Sequence, residues 1–183
     1  MTKKKLLLHS CCGPCSSGVI EGLLDEFDMT VYYYNPNIYP REEFDKRANE
    51  QLKYLQIMNL PCVVGEYDDK AYYTAVKGLE NEPEGGKRCA ECFKLRLLAT
   101  AKYAKEHGFD IFTTTMSVSP HKDFELLNEI GKAVSEEVGI DYLWANFKKK
   151  DGYLKSIRNS QKYNLYRQNY CGCVYSLNSR VEH

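Results

Sequence analysis

The chain has 183 residues, the length of one ordinary domain, and 43% of them are hydrophobic, which is enough to form a substantial core. Its 25 basic residues balance its 25 acidic ones, so the net charge points to no particular class of partner. The composition disfavours disorder, collagen-like repeats and coiled coils. No apolar run reaches the roughly 18 residues that cross a bilayer. The apolar stretch after residues 3–5 ends at His9, too early for a signal peptide, so we expect a cytoplasmic protein.

Along the chain, short apolar runs alternate with segments of helical periodicity, which is typical of βαβ units and a parallel sheet. Strands are predicted at residues 5–9, 29–34, 62–65, 111–115 and 142–146. Helices are predicted between them, at residues 16–26, 41–58, 92–107 and 124–138. We therefore predict an α/β fold with a doubly wound, parallel five-stranded sheet, helices on both faces and a helical C-terminal segment. Residues 1–180 are expected to form a single domain.

The eight cysteines carry the strongest chemical signal. Thiols in the cytosol stay reduced, so their number indicates metal binding or redox chemistry rather than a disulfide scaffold. Cys62 stands alone in an apolar run, and we interpret it as a small buried hydrophobic residue. The other seven fall into three clusters, namely Cys11, Cys12 and Cys15; Cys89 and Cys92; and Cys171 and Cys173.

The first cluster directly follows the first predicted strand. Doubly wound sheets bind ligands at the carboxyl ends of their strands, and many nucleotide-binding members place a glycine-rich phosphate loop there. Here Gly13 is the only glycine between His9 and Ser16, and cysteines occupy the neighbouring positions. The sequence therefore predicts a ligand site whose chemistry is that of thiolates.

Cys11, Cys12, Cys89 and Cys92 are the candidate ligands of a [4Fe–4S] cluster. The side chains of adjacent cysteines diverge, which suits a cluster with several irons better than one tetrahedral ion. Residues 89 and 92 are spaced i, i+3 at a helix start, so their sulfurs share one face and the helix N-terminus stabilises thiolates. Structural zinc is the alternative. Cys15 either caps the following helix or binds a second metal.

Cys171 and Cys173 suggest a redox-active pair. Residues i and i+2 of an extended segment point to the same side, and Gly172 lets the backbone bend so that the sulfurs meet. A disulfide across so short a loop would be strained, and strained disulfides are the labile ones. The alternative is a pair of ordinary thiols near the chain end.

Two further segments suggest contact with nucleic acid. Residues 113–122 combine hydroxyl groups with a following helix start, which suits either a phosphate or ordinary helix capping. Residues 148–176 form a basic and aromatic segment; the side chains that define it are Lys148, Lys149, Lys150, Lys155, Arg158, Lys162, Arg167, Tyr153, Tyr163, Tyr166 and Tyr170. Cations neutralise phosphates and aromatic rings stack on bases, so this segment predicts contact with RNA. The alternative is a solvated helix whose tyrosines pack inward.

From His9 to about Ser176, the chain resembles the QueH-type epoxyqueuosine reductases, the cobalamin-independent family that completes queuosine in tRNA. The resemblance rests on five segments in order: Cys11-Cys12-Gly13-Pro14-Cys15, Tyr34-Asn35-Pro36-Asn37-Ile38, Cys89-Ala90-Glu91-Cys92 with Arg96, residues 113–122, and Tyr170-Cys171-Gly172-Cys173. It implies an α/β fold of the HUP type and a tRNA partner that carries epoxyqueuosine in its anticodon loop. Residues 181–183 look like the remnant of a tag.

The resemblance also implies the cofactor and the reaction. A [4Fe–4S] cluster would be held by Cys11, Cys12, Cys89 and Cys92, with a redox-active pair, able to form a disulfide bond, at Cys171 and Cys173. Some members carry an aspartate at the position of Cys15, where it helps to bind an additional iron. The implied reaction reduces the epoxide of epoxyqueuosine, at the wobble position, to the alkene of queuosine, with electrons from an unidentified donor. The alternatives are a zinc-stabilised tRNA-binding module and a cluster-dependent tRNA thiolase on a related fold.

Overall fold

The computed structural model describes residues 2–149 and 151–181, so all but the first position of the proposed tag remnant lies outside the described residues. The strands are Lys4–His9 (β1), Phe27–Tyr33 (β2), Cys62–Val64 (β3), Ile111–Thr114 (β4) and Asp141–Tyr142 (β5). The helices are Gly13–Ser17 (α1), Arg41–Ile57 (α2), Asp69–Ala75 (α3), Lys87–Glu106 (α4), Phe124–Val138 (α5), Gly152–Lys162 (α6) and Val174–Val181 (α7). Short 3₁₀ turns occupy Ile20–Gly22 and Thr115–Val118. Within the described ranges, no helix combines the length and the apolar character that crossing a membrane requires.

The five strands form one parallel sheet in the order β3-β2-β1-β4-β5. The chain winds outward from β1 in one direction and then from β4 in the other, so the order reverses between these two central strands. This confirms the predicted doubly wound α/β sheet, and it places the switch point at the carboxyl ends of β1 and β4.

Side chains of β1 alternate between the two faces of the sheet, as the period of a strand requires. Leu6 and Leu8 pack in the same apolar cluster as Leu55 of α2. Leu7 belongs to the opposite cluster, together with Phe93 of α4 and Leu127 of α5. All three leucines have no exposed surface. The predicted placement of helices on both faces is therefore confirmed.

The predicted helix over residues 16–26 is wrong. Helix α1 ends at Ser17, and a 3₁₀ turn follows at Ile20–Gly22. The reason is a tertiary contact: a Cβ atom at Gly18 would lie 2.2 Å from the carbonyl oxygen of Gly152, at the start of α6. Contacts from a segment far along the chain thus override the local helical pattern.

Other boundaries shift in ways that matter for the site. Helix α4 begins at Lys87 rather than at residue 92, which brings Cys89 into its first turn. Helix α3 lies in a segment where no helix was predicted, and Asp68 caps it by accepting a hydrogen bond from the backbone N–H of Ala71. Strand β5 is shorter than predicted, because only Asp141 and Tyr142 pair with β4.

Candidate active site lined by cysteines

A cavity of about 580 Å³ lies at the switch point of the sheet. Its walls come from the segment after β1, the segment between β4 and α5, the start of α4 and the turn before α7. Six of the eight cysteines line it, namely Cys11, Cys15, Cys89, Cys92, Cys171 and Cys173. The fold therefore brings all three predicted cysteine clusters to one place.

The sulfur atoms of Cys11, Cys12 and Cys15 form a compact trio, all within 4.8 Å of one another. Cys12 caps α1, because its sulfur accepts a hydrogen bond of 3.5 Å from the backbone N–H of Cys15. Hydrogen bonds from the Cys12 and Cys15 thiols lower the pKa of Cys11 well below its usual value. The same bond to Cys11 raises the pKa of Cys12 to about 12. The lowered pKa of Cys11 favours its thiolate form, which is the state of a cysteine that binds metals.

His9 fixes the strand end from which the trio projects. Its Nε2 atom lies 2.9 Å from the carbonyl oxygen of Tyr34, and its Nδ1 atom lies 3.0 Å from the hydroxyl of Thr114. Burial, followed by the nearby charge of Arg96, lowers the pKa of His9 to about 3. His9 is therefore neutral at physiological pH, and it links β1 to both neighbouring strands.

Arg96 connects the first two cysteine clusters from a buried position. Its Nη2 atom donates a hydrogen bond of 2.7 Å to Oδ1 of Asn35. Asn35 in turn donates from Nδ2 to the carbonyl oxygen of Ser10, at 2.8 Å. The Nη1 atom of Arg96 lies 3.8 Å from the sulfur of Cys92. One guanidinium thus holds the loop of the trio and faces a thiol of α4.

Cys89 and Cys92 lie in the first two turns of α4 and both line the cavity, as the helical spacing predicted. The sulfur of Cys89 accepts a hydrogen bond of 3.2 Å from the backbone N–H of Gly85. Burial raises the pKa of Cys92 to about 12. Their sulfur atoms lie outside the compact trio, which contains Cys15 instead. Three of the four predicted ligands, Cys11, Cys89 and Cys92, therefore line the cavity from two walls, whereas the fourth, Cys12, belongs to the trio but is not a lining residue.

The turn at Cys171–Cys173 forms a third wall, and Gly172 adopts a φ of 135°, a conformation that other residues rarely adopt. The backbone N–H of Cys171 donates to the hydroxyl of Ser176 at 3.3 Å, and the sulfur of Cys173 accepts from the backbone N–H of Ser176 at 3.4 Å. All eight cysteines, each within the described residues, are free thiols, so the expected disulfide between Cys171 and Cys173 is not formed here.

Arg47 of α2 binds the backbone of this turn, a role that the sequence analysis missed. Its side chain is 1% exposed, and it donates to the carbonyl oxygens of Cys171 at 3.0 Å and Tyr170 at 3.2 Å. A hydrogen bond of 2.7 Å to Glu43 balances its charge. The spacing of residues 43 and 47 was the available signal, but it is also typical of exposed pairs on a helix surface.

Lys122 is the basic side chain of the segment between β4 and α5 that lines the cavity. Burial lowers its pKa, but the nearby Cys171, Cys11 and Cys15 thiols outweigh this effect and raise the pKa above its usual value. Lys122 is therefore a cation that faces two of the cysteine clusters.

The hydroxyl groups of Thr113 and Thr114 are buried. That of Thr113 donates to the carbonyl oxygen of Leu143, and that of Thr114 is hydrogen-bonded to His9, so both hydroxyls have structural partners rather than being free to bind a phosphate.

The basic and aromatic segment is only partly exposed. Tyr163 packs against Tyr54, with ring centroids 5.6 Å apart, and the Tyr166 hydroxyl bonds to Glu43 at 3.2 Å. Tyr153 is 39% exposed and lines the cavity. The exposed cations among the described residues of the segment are Lys149, Lys155, Arg158, Lys162 and Arg167; Lys150 lies outside the described residues. One tyrosine thus remains available for stacking on a base.

Comparison with known proteins places the chain in one family. The family model "Epoxyqueuosine reductase QueH" matches residues 6–179. Among proteins called epoxyqueuosine reductase QueH, that of Staphylococcus epidermidis is 41% identical over 95% of this chain and 76% of its own length. The protein of Acinetobacter baylyi is 41% identical, over 94% of this chain and 80% of its own length. The protein of Thermotoga maritima is 37% identical, over 97% of this chain and 92% of its own length.

A solved structure shares the fold alone. It is described as a predicted subunit of a tRNA methyltransferase from Methanocaldococcus jannaschii, and it superposes with a TM-score of 0.58 at 13% sequence identity. The match covers 86% of this chain and 74% of the other. The family model and the relatives cover nearly the whole chain, including every cysteine that lines the cavity. The chain belongs to the epoxyqueuosine reductase QueH family.

Proposed function

We propose that this chain is an oxidoreductase that converts epoxyqueuosine, at the wobble position of tRNA, to queuosine, the final step of queuosine biosynthesis. The observation that carries the proposal is the convergence of six cysteines on one cavity in a member of this family. The reaction adds two electrons and two protons to the epoxide, which leaves an alkene and one molecule of water. The two alternatives, a zinc-stabilised tRNA-binding module and a tRNA thiolase, are not favoured by the family membership.

The cysteines that line the cavity, together with Cys12 of the adjoining trio, form a donor set that fits an iron–sulfur cofactor. We assign Cys11, Cys12, Cys89 and Cys92 as the ligands of a [4Fe–4S] cluster, since thiolates are the ligands that such clusters prefer. The low pKa of Cys11 prepares one of them for this role. Cys15, within 4.8 Å of two of these sulfurs, would bind an additional iron. When bound, the cluster supplies electrons one at a time.

Cys171 and Cys173 are proposed as the catalytic dithiol. Oxidation of two thiols to a disulfide releases two electrons and two protons, which is what reduction of the epoxide to an alkene and water consumes. An external electron donor must then reduce the disulfide again. Lys122 keeps a positive charge beside Cys171, where it would stabilise the thiolate or an oxyanion that forms as the epoxide opens.

The tRNA partner would approach along α6. Tyr153 is exposed at the cavity wall, and Lys155 and Arg158 are exposed on the same helix. A wobble nucleotide is displayed from a single-stranded loop, which suits recognition by aromatic stacking and contacts to phosphates. We also propose that the protein acts in the cytoplasm and that residues 1–180 form one α/β domain, with residues 148–176 as its segment for tRNA.

The decisive experiment is anaerobic purification followed by iron and acid-labile sulfide analysis. We expect a brown protein with absorption near about 400 nm that bleaches on reduction. Cys89→Ala should lose the absorption and the activity, whereas Cys62→Ala should keep both, since Cys62 lies in an apolar cluster away from the cavity. A colourless protein with one zinc per chain would instead support the binding module.

The reaction itself is tested by incubating the reduced holoenzyme with tRNA that carries epoxyqueuosine and analysing the released nucleosides. Queuosine should appear in a single turnover. Cys171→Ala should retain the iron and the absorption but lose turnover with the physiological donor. Full activity of this variant would refute the redox role of the dithiol while leaving the cluster assignment intact.

A further inference from the structure

Asn37 is a buried amide without a partner on the wall of the cavity. Its side chain is 3% exposed, and it lines the cavity together with the cysteines. Among the described residues, nothing donates a hydrogen bond to its Oδ1 atom, although that atom is buried. Buried polar atoms are nearly always hydrogen-bonded, so an unpaired one in a cavity wall points to a ligand that supplies the missing group.

The contrast with Asn35 shows that the unpaired state is specific to position 37. Asn35 is equally buried, but its Oδ1 accepts from Arg96 and its Nδ2 donates to Ser10. The two amides leave the same loop, and only the one that lines the cavity lacks a partner. Asn35 therefore has a structural role, whereas the side-chain amide of Asn37 has hydrogen-bonding capacity that no described residue uses.

Asn37 also lies next to the proposed dithiol. Its Nδ2 atom is 3.4 Å from the position that a Cβ atom on Gly172 would occupy. The carbonyl oxygen of Gly172 accepts a hydrogen bond of 2.8 Å from the backbone N–H of Tyr39, which ties the two loops together. The amide of Asn37 is therefore close enough to the turn of Cys171 and Cys173 to contact a substrate group that is bound beside them.

Gln168, within the proposed segment for tRNA, also has a side-chain oxygen that is unpaired within the described part of the chain. Its side chain lines the cavity, and its buried Oε1 atom has no partner among the described residues. Two acceptors without donors on one cavity select for a ligand rich in hydroxyl or N–H groups. A carboxylate or phosphate would place further acceptors against these two atoms, so an anionic group would bind instead beside the cations that also line the cavity, such as Lys122.

We propose that Asn37 determines substrate specificity by hydrogen bonding to a hydroxyl group of the substrate's cyclopentane ring, with Gln168 as a second contact to the modified nucleoside. This inference rests on the proposed function, because it takes the ring of epoxyqueuosine as the group beside the dithiol. A side-chain amide both donates and accepts, so it can pair with a hydroxyl in either sense. A site built to bind a hydroxyl rejects analogues that lack it, because its own polar atoms then stay unpaired.

The test compares the binding of three tRNAs to the anaerobic holoenzyme. They carry queuosine, which has the ring and no epoxide, 7-aminomethyl-7-deazaguanine, which lacks the ring, or unmodified guanine. The wild type should bind the queuosine tRNA most tightly. Asn37→Leu keeps the branched shape of the side chain and removes its hydrogen-bonding groups, so it should weaken binding of the queuosine tRNA by about tenfold and leave the other two unchanged. Asn49→Leu, on the exposed side of α2, is the matched control and should change none of them.

Kinetics give a second readout. In Asn37→Leu the KM for the epoxyqueuosine tRNA should rise with a smaller change in kcat, and Gln168→Leu should show a weaker form of the same effect. If circular dichroism shows that Asn37→Leu fails to fold, Asn37→Ala, which also removes the hydrogen-bonding groups, takes its place with the same expectations.

The outcomes separate this inference from the proposed function. Equal affinity of the wild type for all three tRNAs, or an unchanged preference for queuosine in the Asn37 variant, overturns the role of Asn37 even if the enzyme reduces epoxyqueuosine. A preference for the ring that disappears in the variant supports that role, even if the wild type fails to reduce the epoxide and the proposed function is thereby wrong.

Discussion

The guanidinium of Arg47 donates a hydrogen bond of 3.0 Å to the backbone carbonyl oxygen of Cys171. This contact joins the middle of α2 to a turn that lies 124 residues further along the chain. Glu43, one turn earlier on the helix, compensates the charge at 2.7 Å, so the buried cation is paired. The position of the proposed dithiol is thus set by a helix that contributes no cysteine to the cavity.

Arg47→Lys should therefore loosen the turn. Lysine keeps the charge but cannot bind Glu43 and two carbonyl oxygens from one planar group, so we expect a loss of about 1–3 kcal/mol in the free energy of unfolding. The reduction potential of the Cys171–Cys173 pair should shift as well. Urea unfolding and redox titration of the holoenzyme measure the two effects.

Arg41→Lys is the matched control, since Arg41 pairs with Asp45 on the same helix with 58% of its side chain exposed. Its stability should change by less than about 0.5 kcal/mol. Equal effects of the two substitutions would mean that the contacts of Arg47 do not hold the turn in place.

Gly18→Ala should disturb the docking of α6 onto α1. A Cβ atom at this position would lie 2.2 Å from the carbonyl oxygen of Gly152, and backbone atoms cannot move away as a flexible side chain can. Asn159 of α6 also donates to the carbonyl oxygen of Ser17 at 2.7 Å, and displacement of the helix would break this bond. We expect the free energy of unfolding to fall by about 1–3 kcal/mol, measured by chemical denaturation.

Gly22→Ala provides the comparison, because a Cβ atom there would have no neighbour within 4 Å. This variant should be as stable as the wild type or slightly more so. If Gly18→Ala is equally well tolerated, the close approach of the two segments is not a constraint in solution.

The contacts of Arg47 and Gly18 show what the sequence can and cannot predict. Strands such as β1 are apolar runs whose pattern depends on neighbours in sequence, and all five were found. The end of α1 depends on a helix more than 130 positions away, so local periodicity predicted a longer helix. The convergence of the cysteine clusters could be predicted from the sheet topology and the family resemblance. The burial of Arg47 could not be predicted, because its i, i+4 spacing with Glu43 is also that of an ordinary surface ion pair.

Lys155→Gln combined with Arg158→Gln should weaken tRNA binding in a salt-dependent manner. Both cations are exposed on α6, beside the cavity wall formed by Tyr153. If each neutralises one phosphate, the slope of log K against log salt concentration should become less steep by about 1.4–1.8. Titrations of tRNA at several salt concentrations measure this slope. Lys102→Gln, at an exposed position of α4, should leave it unchanged, and an unchanged slope in the double variant would exclude α6 from the interface.

Cys62 should react slowly with alkylating reagents in the folded protein. Burial raises its pKa from 9.0 to about 11, and the thiolate is the reactive species. At pH 8 the thiolate fraction should therefore be roughly 100-fold smaller than in the unfolded chain, because each pKa unit changes it about tenfold. Mass spectrometry of the peptide that contains Cys62, after timed exposure to iodoacetamide with and without urea, measures the two rates. The rate in the folded protein should rise with pH up to about 11. Equal rates with and without urea would mean that Cys62 is accessible, and it could then no longer serve as the inert control for the cysteines of the cavity.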